Sequence, residues 1–322
     1  MRPACVNMVF ELAKRDPRVA YIGSDLSPDL TERMKTEMPG RAFMEGVSEA
    51  HVIGMAAGMA MEGYIPYVHT IATFITRRCY EQVAVDLCLH NLPVRLIGNG
   101  GGLVYAPLGP THLAIEDIAI LRAIPNMTIV APCDADEMRR LMEQTLDWPG
   151  PIYVRIAKGG DRIVSSDEHG FEIGRAIALR EGGRVLLVST GITTQVALDA
   201  ADILADSGIA ATVLHMHTVK PLDRDQLLLH ASRAEALVTI EEHTLAGGLG
   251  GAVAETLMEF GEGGIPFARL GFRDVFTDEL GSQAQIMAAH GLTAENLARR
   301  AVDLLDTAAI RPGEGVGDWA SS

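Results

Sequence analysis

An acid, an aromatic ring, a histidine and a few arginines are the residues of this sequence whose types and spacing could do chemistry. Glu49 stands where the stretch 46–74, GVSEAHVIGMAAGMAMEGYIPYVHTIATF, passes from a polar turn into a small, apolar helix. An acid there is either a charge that favours the helix N-terminus or a carboxylate set in a poorly solvated pocket, where it can share a proton. Phe74 closes the following apolar run, as a core residue or as a ring offered to a flat ligand. His112 follows Gly109-Pro110-Thr111 on a loop before a helix, where an imidazole can donate or accept a proton, or simply be solvated. Arg78 and Arg155 present planar donor forks suited to a phosphate or carboxylate, or to surface ion pairs, and Arg77 competes with Arg78 for either place. Asp25, in Ser24-Asp25-Leu26, falls at the carboxyl end of a strand, where open α/β sheets bind ligands and where turn residues also gather.

Elements must hold these residues in place. The sequence predicts a helix over 3–15 and a strand over 19–23, then the helix of the opening stretch, in which Met55, Ala56, Met59 and Ala60 follow helical spacing. Gly54 and Gly58 lack side chains there and permit a very close neighbour. A helix over 80–90, strands over 93–98 and 127–131, and a helix over 135–146 opened by Asp134 complete a first domain, 1–156. Residues 157–172, AKGGDRIVSSDEHGFE, have little periodic apolar content and read as a linker. Strands over 185–189, 211–215 and 237–240 then alternate with helices over 193–207, 224–231 and 248–260 in a second, smaller domain, 173–307. Strand–helix alternation at this spacing is that of parallel, doubly wound α/β sheets. The run Gly247-Gly248-Leu249-Gly250-Gly251 lacks the spacing of a dinucleotide fingerprint and suits a tight strand-to-helix turn, while 308–322 is expected to be a flexible tail.

Composition excludes several classes. A chain of 322 residues with a formal charge of −15 and scattered Lys and Arg does not look like a nucleic-acid binder. No apolar run approaches the roughly 18 residues of a membrane span, and the first residues lack a secretory core, so a cytoplasmic location is expected. Cys5, Cys79, Cys88 and Cys133 show neither C-x-x-C spacing nor a metal-site pattern, and reduced thiols are expected.

Taken in order, 46–51 (GVSEAH), Ala56-Ala57-Gly58, Thr73-Phe74, Tyr80-Glu81-Gln82, Gly109-Pro110-Thr111-His112, Ile124-Pro125-Asn126-Met127 and 150–155 (GPIYVR) resemble the pyrimidine-binding domain of the transketolase family of thiamine diphosphate enzymes. The likeness continues through that family's C-terminal domain. Ordered motifs over such a length are specific where one alone is weak. The resemblance implies that Glu49 is the proton-relay glutamate, hydrogen-bonded to N1′ of the aminopyrimidine so that the 4′-imino group can take the thiazolium C2 proton. It implies that Phe74 stacks on the aminopyrimidine, that Asp25 and Leu26 lie beside the cofactor with Arg78, and that His112 faces the substrate, for which Arg78, Arg155 and Leu108 are further contacts.

The family holds the cofactor's diphosphate and its divalent metal with a separate domain carrying Gly-Asp-Gly and a later asparagine. Neither Gly160-Asp161-Arg162 nor Gly317-Asp318-Trp319 completes that pattern, so the chain is expected to carry half of a cofactor site and no metal ligands. The resemblance then implies the C-terminal subunit of a split transketolase-like enzyme, transferring a ketol or short acyl unit from a ketose-type donor to an acceptor. An N-terminal pyrophosphate-binding subunit would share the thiamine diphosphate and hold Mg2+ or Ca2+. The face near Gly54 and Gly58 would join a heterotetramer with two copies of each subunit, or else pack tightly inside one domain. Two other readings stand beside it, the beta subunit of a 2-oxoacid dehydrogenase's decarboxylating component and a non-catalytic scaffold. Pro110-Thr111-His112 argues against the first, and retention of Glu49 and Phe74 against the second. One departure concerns the substrate. Leu108 stands where sugar-phosphate transketolases have an acid, and Gly100, Gly101 and Gly102 remove side-chain bulk that could otherwise narrow the channel. An acceptor less hydroxylated or bulkier than an aldose phosphate is expected, because leucine leaves a buried hydroxyl unpaired.

Overall fold

The structure, a computed structural model, describes residues 1–310 apart from 25, 158 and 278, and without the side chains of 30, 31 and 308–310. The expected role of Asp25 therefore lies outside the described residues, as does the stretch 311–322 of the expected tail.

The chain begins with Arg2–Arg15 (α1), Val19–Gly23 (β1), Pro28–Glu37 (α2), Ala42–Met44 (β2), Glu49–Met61 (α3) and Ile65–Ile71 (β3). Two π-helical turns, Phe74–Arg78 and Val83–Leu89, flank the short Tyr80–Gln82 (α4), where one regular helix is expected from sequence. Arg95–Asn99 (β4), Asp117–Arg122 (α5), Thr128–Val130 (β5), Ala135–Thr145 (α6) and Ile152–Ile156 (β6) follow. The second half contains Ile177–Arg180 (β7), Val185–Ser189 (β8), Thr193–Asp206 (α7), Ala211–His215 (β9), Thr218–Lys220 (β10) and Arg224–Ala231 (α8). It ends with Ala236–Thr244 (β11), Leu249–Glu259 (α9), Phe267–Phe272 (β12), Gln283–Ala289 (α10) and Ala294–Ile310 (α11). The last helix runs past the boundary at 307 expected from composition.

Both sheets are mainly parallel, as continuous apolar strands such as Val19–Gly23 and Val185–Ser189 require, since each is buried along its whole length. The first has the order β10-β5-β6-β4-β3-β1-β2 and the second β12-β11-β8-β9-β7. Only β10 and β7 pair antiparallel, each at an edge. β10 comes from the second half of the chain yet joins the first sheet through Thr218 and Lys220, a crossover too short to announce itself in periodicity. Each sheet is covered on both faces. Phe10, Leu12, Met138 and Leu141 pack one side of the first, and Ile53, Ala56, Leu87 and Leu121 the other. Leu187, Ala197, Leu297 and Ala301 pack one side of the second, and Leu186, Leu227 and Val253 the other.

Local chemistry sets the helix starts. Asp134 caps α6 by accepting the N–H groups of Asp136 and Glu137, as expected from its place in the sequence. The glycine run at 247–251 is the strand-to-helix turn expected of it. Gly247 has φ of +74°, and the Leu249 and Gly250 N–H groups at the start of α9 donate to Glu241, at 2.7 and 2.8 Å. Among the described residues no helix is long and apolar enough to cross a membrane.

Candidate functional site

The carboxylate of Glu49 opens α3 and is only 3 % exposed, so the turn at Gly46–Ser48 delivers an acid into the protein rather than onto its surface. Arg78 Nη1 donates to Glu49 Oε2 at 2.8 Å, and the same guanidinium lies over the Phe74 ring, 4.2 Å from its centre. His112 meets Phe74 edge to face at 5.2 Å, and its Nδ1 is 2.9 Å from the Thr111 hydroxyl. Glu49, Phe74, Arg78 and His112 thus form one connected group, although they come from α3, the first π-helical turn and a loop. The π-turn fixes the choice between neighbours that sequence leaves open. Arg78 faces Glu49, whereas Arg77 turns to Glu116 and donates to the Leu113 carbonyl at 2.7 Å.

His69 belongs to this neighbourhood and was missed from sequence. It lies with Glu49, Ser24, Thr70 and Ile75 around a small cavity; its Nδ1 is 3.0 Å from the Tyr21 hydroxyl, and its buried Nε2 has no partner in the structure. Burial pushes its pKa down to about 3, so the ring is neutral near pH 7. The available signal was a lone histidine in the otherwise apolar strand IPYVHTI. Burial also pushes the Cys79 thiol up to about 12, and it donates to the Ile75 carbonyl, which makes it inert.

Other expected contacts sit elsewhere. Leu26 lines a separate cleft of about 560 Å³ with Arg2, Asn7 and Arg33, and the Tyr21 hydroxyl, 3.0 Å from His69 Nδ1, reaches the Leu26 carbonyl at 3.5 Å. Leu108 ends a 3-10 turn and is 57 % exposed, so in this chain it is a surface residue and not part of the connected group. Arg155 is neither a free fork nor a surface pair. It is buried, its Nε donates to Asp117 at 2.8 Å, and its Nη2 donates to the carbonyls of Ala114 and Glu242 at 2.8 and 2.9 Å. Burial alone would lower its pKa, but Asp117 and Glu242 raise it. The reason sequence misplaces it is that β11 of the second half supplies Glu242 from across the domain junction.

Nor do the glycines at 100–102 open a channel. A Cβ at Gly100 would meet the Tyr105 ring at 2.2 Å, one at Gly101 the Arg155 side chain at 2.5 Å, and one at Gly102 the Glu242 carboxylate at 2.2 Å. Their missing bulk is filled by neighbours that pack the domain junction. A cleft of about 550 Å³ does lie beside the His112 turn, between Arg77, Pro110 and Leu113 of the first half and Thr244, Arg273 and Phe276 of the second.

Residues 1–160 match the family model for the transketolase pyrimidine binding domain, and 174–297 that for the transketolase C-terminal domain. The chain is 38 % identical over 307 residues to a 6-deoxy-6-sulfo-D-fructose transketolase subunit, SqwH, of Clostridium sp. strain MSTE9, covering 95 % of this chain and 94 % of that one. It is also 38 % identical to 1-deoxy-D-xylulose-5-phosphate synthase 1 of Geobacter sulfurreducens, over 89 % of this chain but only 45 % of the relative's length. Among solved structures, one described as a split gene transketolase, inactive beta4 tetramer, superposes with a TM-score of 0.87 at 35 % identity, covering 95 % of this chain and 98 % of that one. A Pichia stipitis transketolase shares the fold with a TM-score of 0.77 at 20 % identity, and this chain covers 46 % of it.

Proposed function

The chain belongs to the transketolase family, and we propose that it is the C-terminal subunit of a two-component thiamine diphosphate enzyme that transfers a ketol or short acyl unit from a ketose-type donor to an acceptor. The observation that carries this reading is the Glu49 carboxylate, buried at a helix start and tied through Arg78 to Phe74 and His112. These residues fit the ring end of the cofactor: a desolvated acid beside an aromatic face and an unpartnered histidine nitrogen at His69. When bound, thiamine diphosphate supplies a nucleophilic carbon and an electron sink.

Glu49 would accept and return a proton at N1′ of the aminopyrimidine, and its exclusion from water keeps that proton from exchanging with solvent. Phe74 would orient the pyrimidine plane once the Arg78 guanidinium leaves the ring face, while staying within reach of Glu49 or turning to a substrate anion. His112, at the edge of Phe74, would hold or move a proton on the substrate. The diphosphate end would be held by the partner subunit in this reading. The described residues close enough to hold a metal ion are Cys133, Glu137 and His215, none of which belongs to the site. A separate pyrophosphate-binding subunit bringing Mg2+ or Ca2+ completes the reading. The chain spans nearly all of SqwH but less than half of the single-chain synthases, and the structural relative made of beta subunits alone is described as inactive.

The test is reconstitution. The isolated chain is expected to bind thiamine diphosphate weakly and to show no turnover, and a co-expressed partner with a Gly-Asp-Gly…Asn pattern should restore both, in a particle containing two copies of each chain. Donors should include 6-deoxy-6-sulfo-D-fructose, because SqwH carries that sugar in its name. Acceptors should compare ribose 5-phosphate with less hydroxylated aldehydes, although the exposure of Leu108 in this chain does not supply the buried apolar contact on which that expectation rested. Full activity from this chain alone sinks the two-component reading.

A further inference from the structure

Where the two halves of the chain meet, Cys133, Glu137 and His215 place a thiol, a carboxylate oxygen and an imidazole nitrogen within 4.8 Å of one another, all three residues fully buried. Cys133 precedes α6, Glu137 lies in its first turn, and His215 ends β9 of the other domain. The His215 Nε2 is 2.9 Å from Glu137 Oε2, which also accepts the Cys133 N–H at 2.6 Å. Thr194 fixes the far side of the imidazole, its hydroxyl 2.8 Å from Nδ1, in the manner of an outer partner that orients a ligating histidine.

Two further observations point to a missing cation. Glu137 Oε1 and His217 Nε2 are both buried without a hydrogen-bond partner, and the His217 ring stands 5.7 Å from that of His215. A buried orphan of this kind is costly unless something pairs with it. No lysine or arginine is among the described hydrogen-bond partners of Asp134 or Glu137. A catalytic or redox role does not suit a thiol as fully buried as that of Cys133.

We propose that Cys133, Glu137 and His215 bind one divalent transition-metal ion of the zinc class, which clasps the two domains together. Mixed sulfur, nitrogen and oxygen donors favour zinc over magnesium or calcium, and a closed site favours a structural over a catalytic ion. On binding, the thiol gives up its proton to solvent and the imidazole keeps its proton on Nδ1, donating to Thr194, so that Nε2 offers its lone pair. A water completes the fourth position, as is common where three protein ligands hold zinc. This site is separate from Glu49 and independent of the proposed reaction.

The experiment uses the untagged full-length chain, dialysed against zinc and then against metal-free buffer, with elemental analysis and with cobalt as a spectroscopic probe. About one equivalent per chain should remain, and cobalt should give a near-ultraviolet sulfur-to-metal band. Cys133→Ser should remove the band and weaken zinc binding by about tenfold or more, whereas Cys88→Ser should change neither. Should Cys133→Ser fail to fold, X-ray absorption at the zinc edge of the wild-type chain must show one sulfur among nitrogen and oxygen neighbours. Absence of bound zinc and of the cobalt band, a band that survives Cys133→Ser, or a zinc shell without sulfur would each overturn the proposal.

Discussion

Glu49 shows what a single residue contributes. Its carboxylate is buried, but its partner is Arg78 at 2.8 Å, so the side chain is already held in one orientation before any ligand arrives. Glu49→Gln keeps the volume and can still hydrogen-bond a ring nitrogen, yet it cannot share a proton. In the assembled enzyme the change is expected to leave the fold intact and to lower turnover by about 10² to 10⁴. Steady-state rates, with hydrogen–deuterium exchange at thiazolium C2, report this directly, and exchange at the wild-type rate would make Glu49 a structural residue.

At the scale of elements, α3 has a buried and an outward face. One face of the helix buries Val52, Ile53, Ala56 and Ala57 against β3 and the π-turns, while His51, Gly54, Gly58 and Met61 face outward. The glycines were expected to admit a close neighbour, but among the described residues a Cβ at either would meet nothing within 4 Å. Tight packing inside one domain is therefore not their use. Gly54→Leu is expected to leave the isolated chain as stable or more stable by about 0.5–1 kcal/mol, because helical glycine is unfavourable. It is also expected to prevent co-purification with the pyrophosphate-binding partner. Denaturant unfolding and size-exclusion light scattering check the two halves of this statement, and an intact complex would remove α3 from the interface.

For the molecule as a whole, buried ionisable groups on both sides of the domain junction set opposite pH dependences. Burial raises Glu242 to about 6, although Arg155, Gln283 and the Leu103 N–H pull it down. Its folded pKa exceeds the ordinary carboxylate value of 4.5, so its contribution is fully present below pH 4.5 and is lost as pH rises through 6. His69 has the reverse sign. Its folded pKa lies below 6.5, so the unfolded chain binds a proton that the native chain refuses, and stability falls as pH drops from 6.5 toward 3. Between pH 4.5 and 6 the two slopes oppose each other. Glu242→Gln should unmask the histidine, and the stability of wild type relative to the variant should fall by roughly 2 kcal/mol between pH 4.5 and 7. Urea titrations at several pH values measure that difference; parallel curves would mean that folding leaves the pKa of Glu242 unshifted.

The sequence by itself determined the two doubly wound sheets, because buried parallel strands such as VAYIG and VLLVS must be almost continuously apolar and their helices must repeat with the helical period. It also singled out Glu49, Phe74 and His112, since ordered local motifs carry them. Tertiary structure alone decided which arginine meets Glu49, because a π-turn shifts the register of side chains by an amount no regular periodicity encodes. It alone joined β10 to the first sheet, turned Arg155 into a buried clasp, filled the space of three glycines with Tyr105, Arg155 and Glu242, and brought Cys133 and Glu137 to His215. Apart from Gly100 and Tyr105, these contacts span long separations along the chain, where spacing carries no information and only tertiary packing, within the first domain or across to the second, fixes which side chains meet.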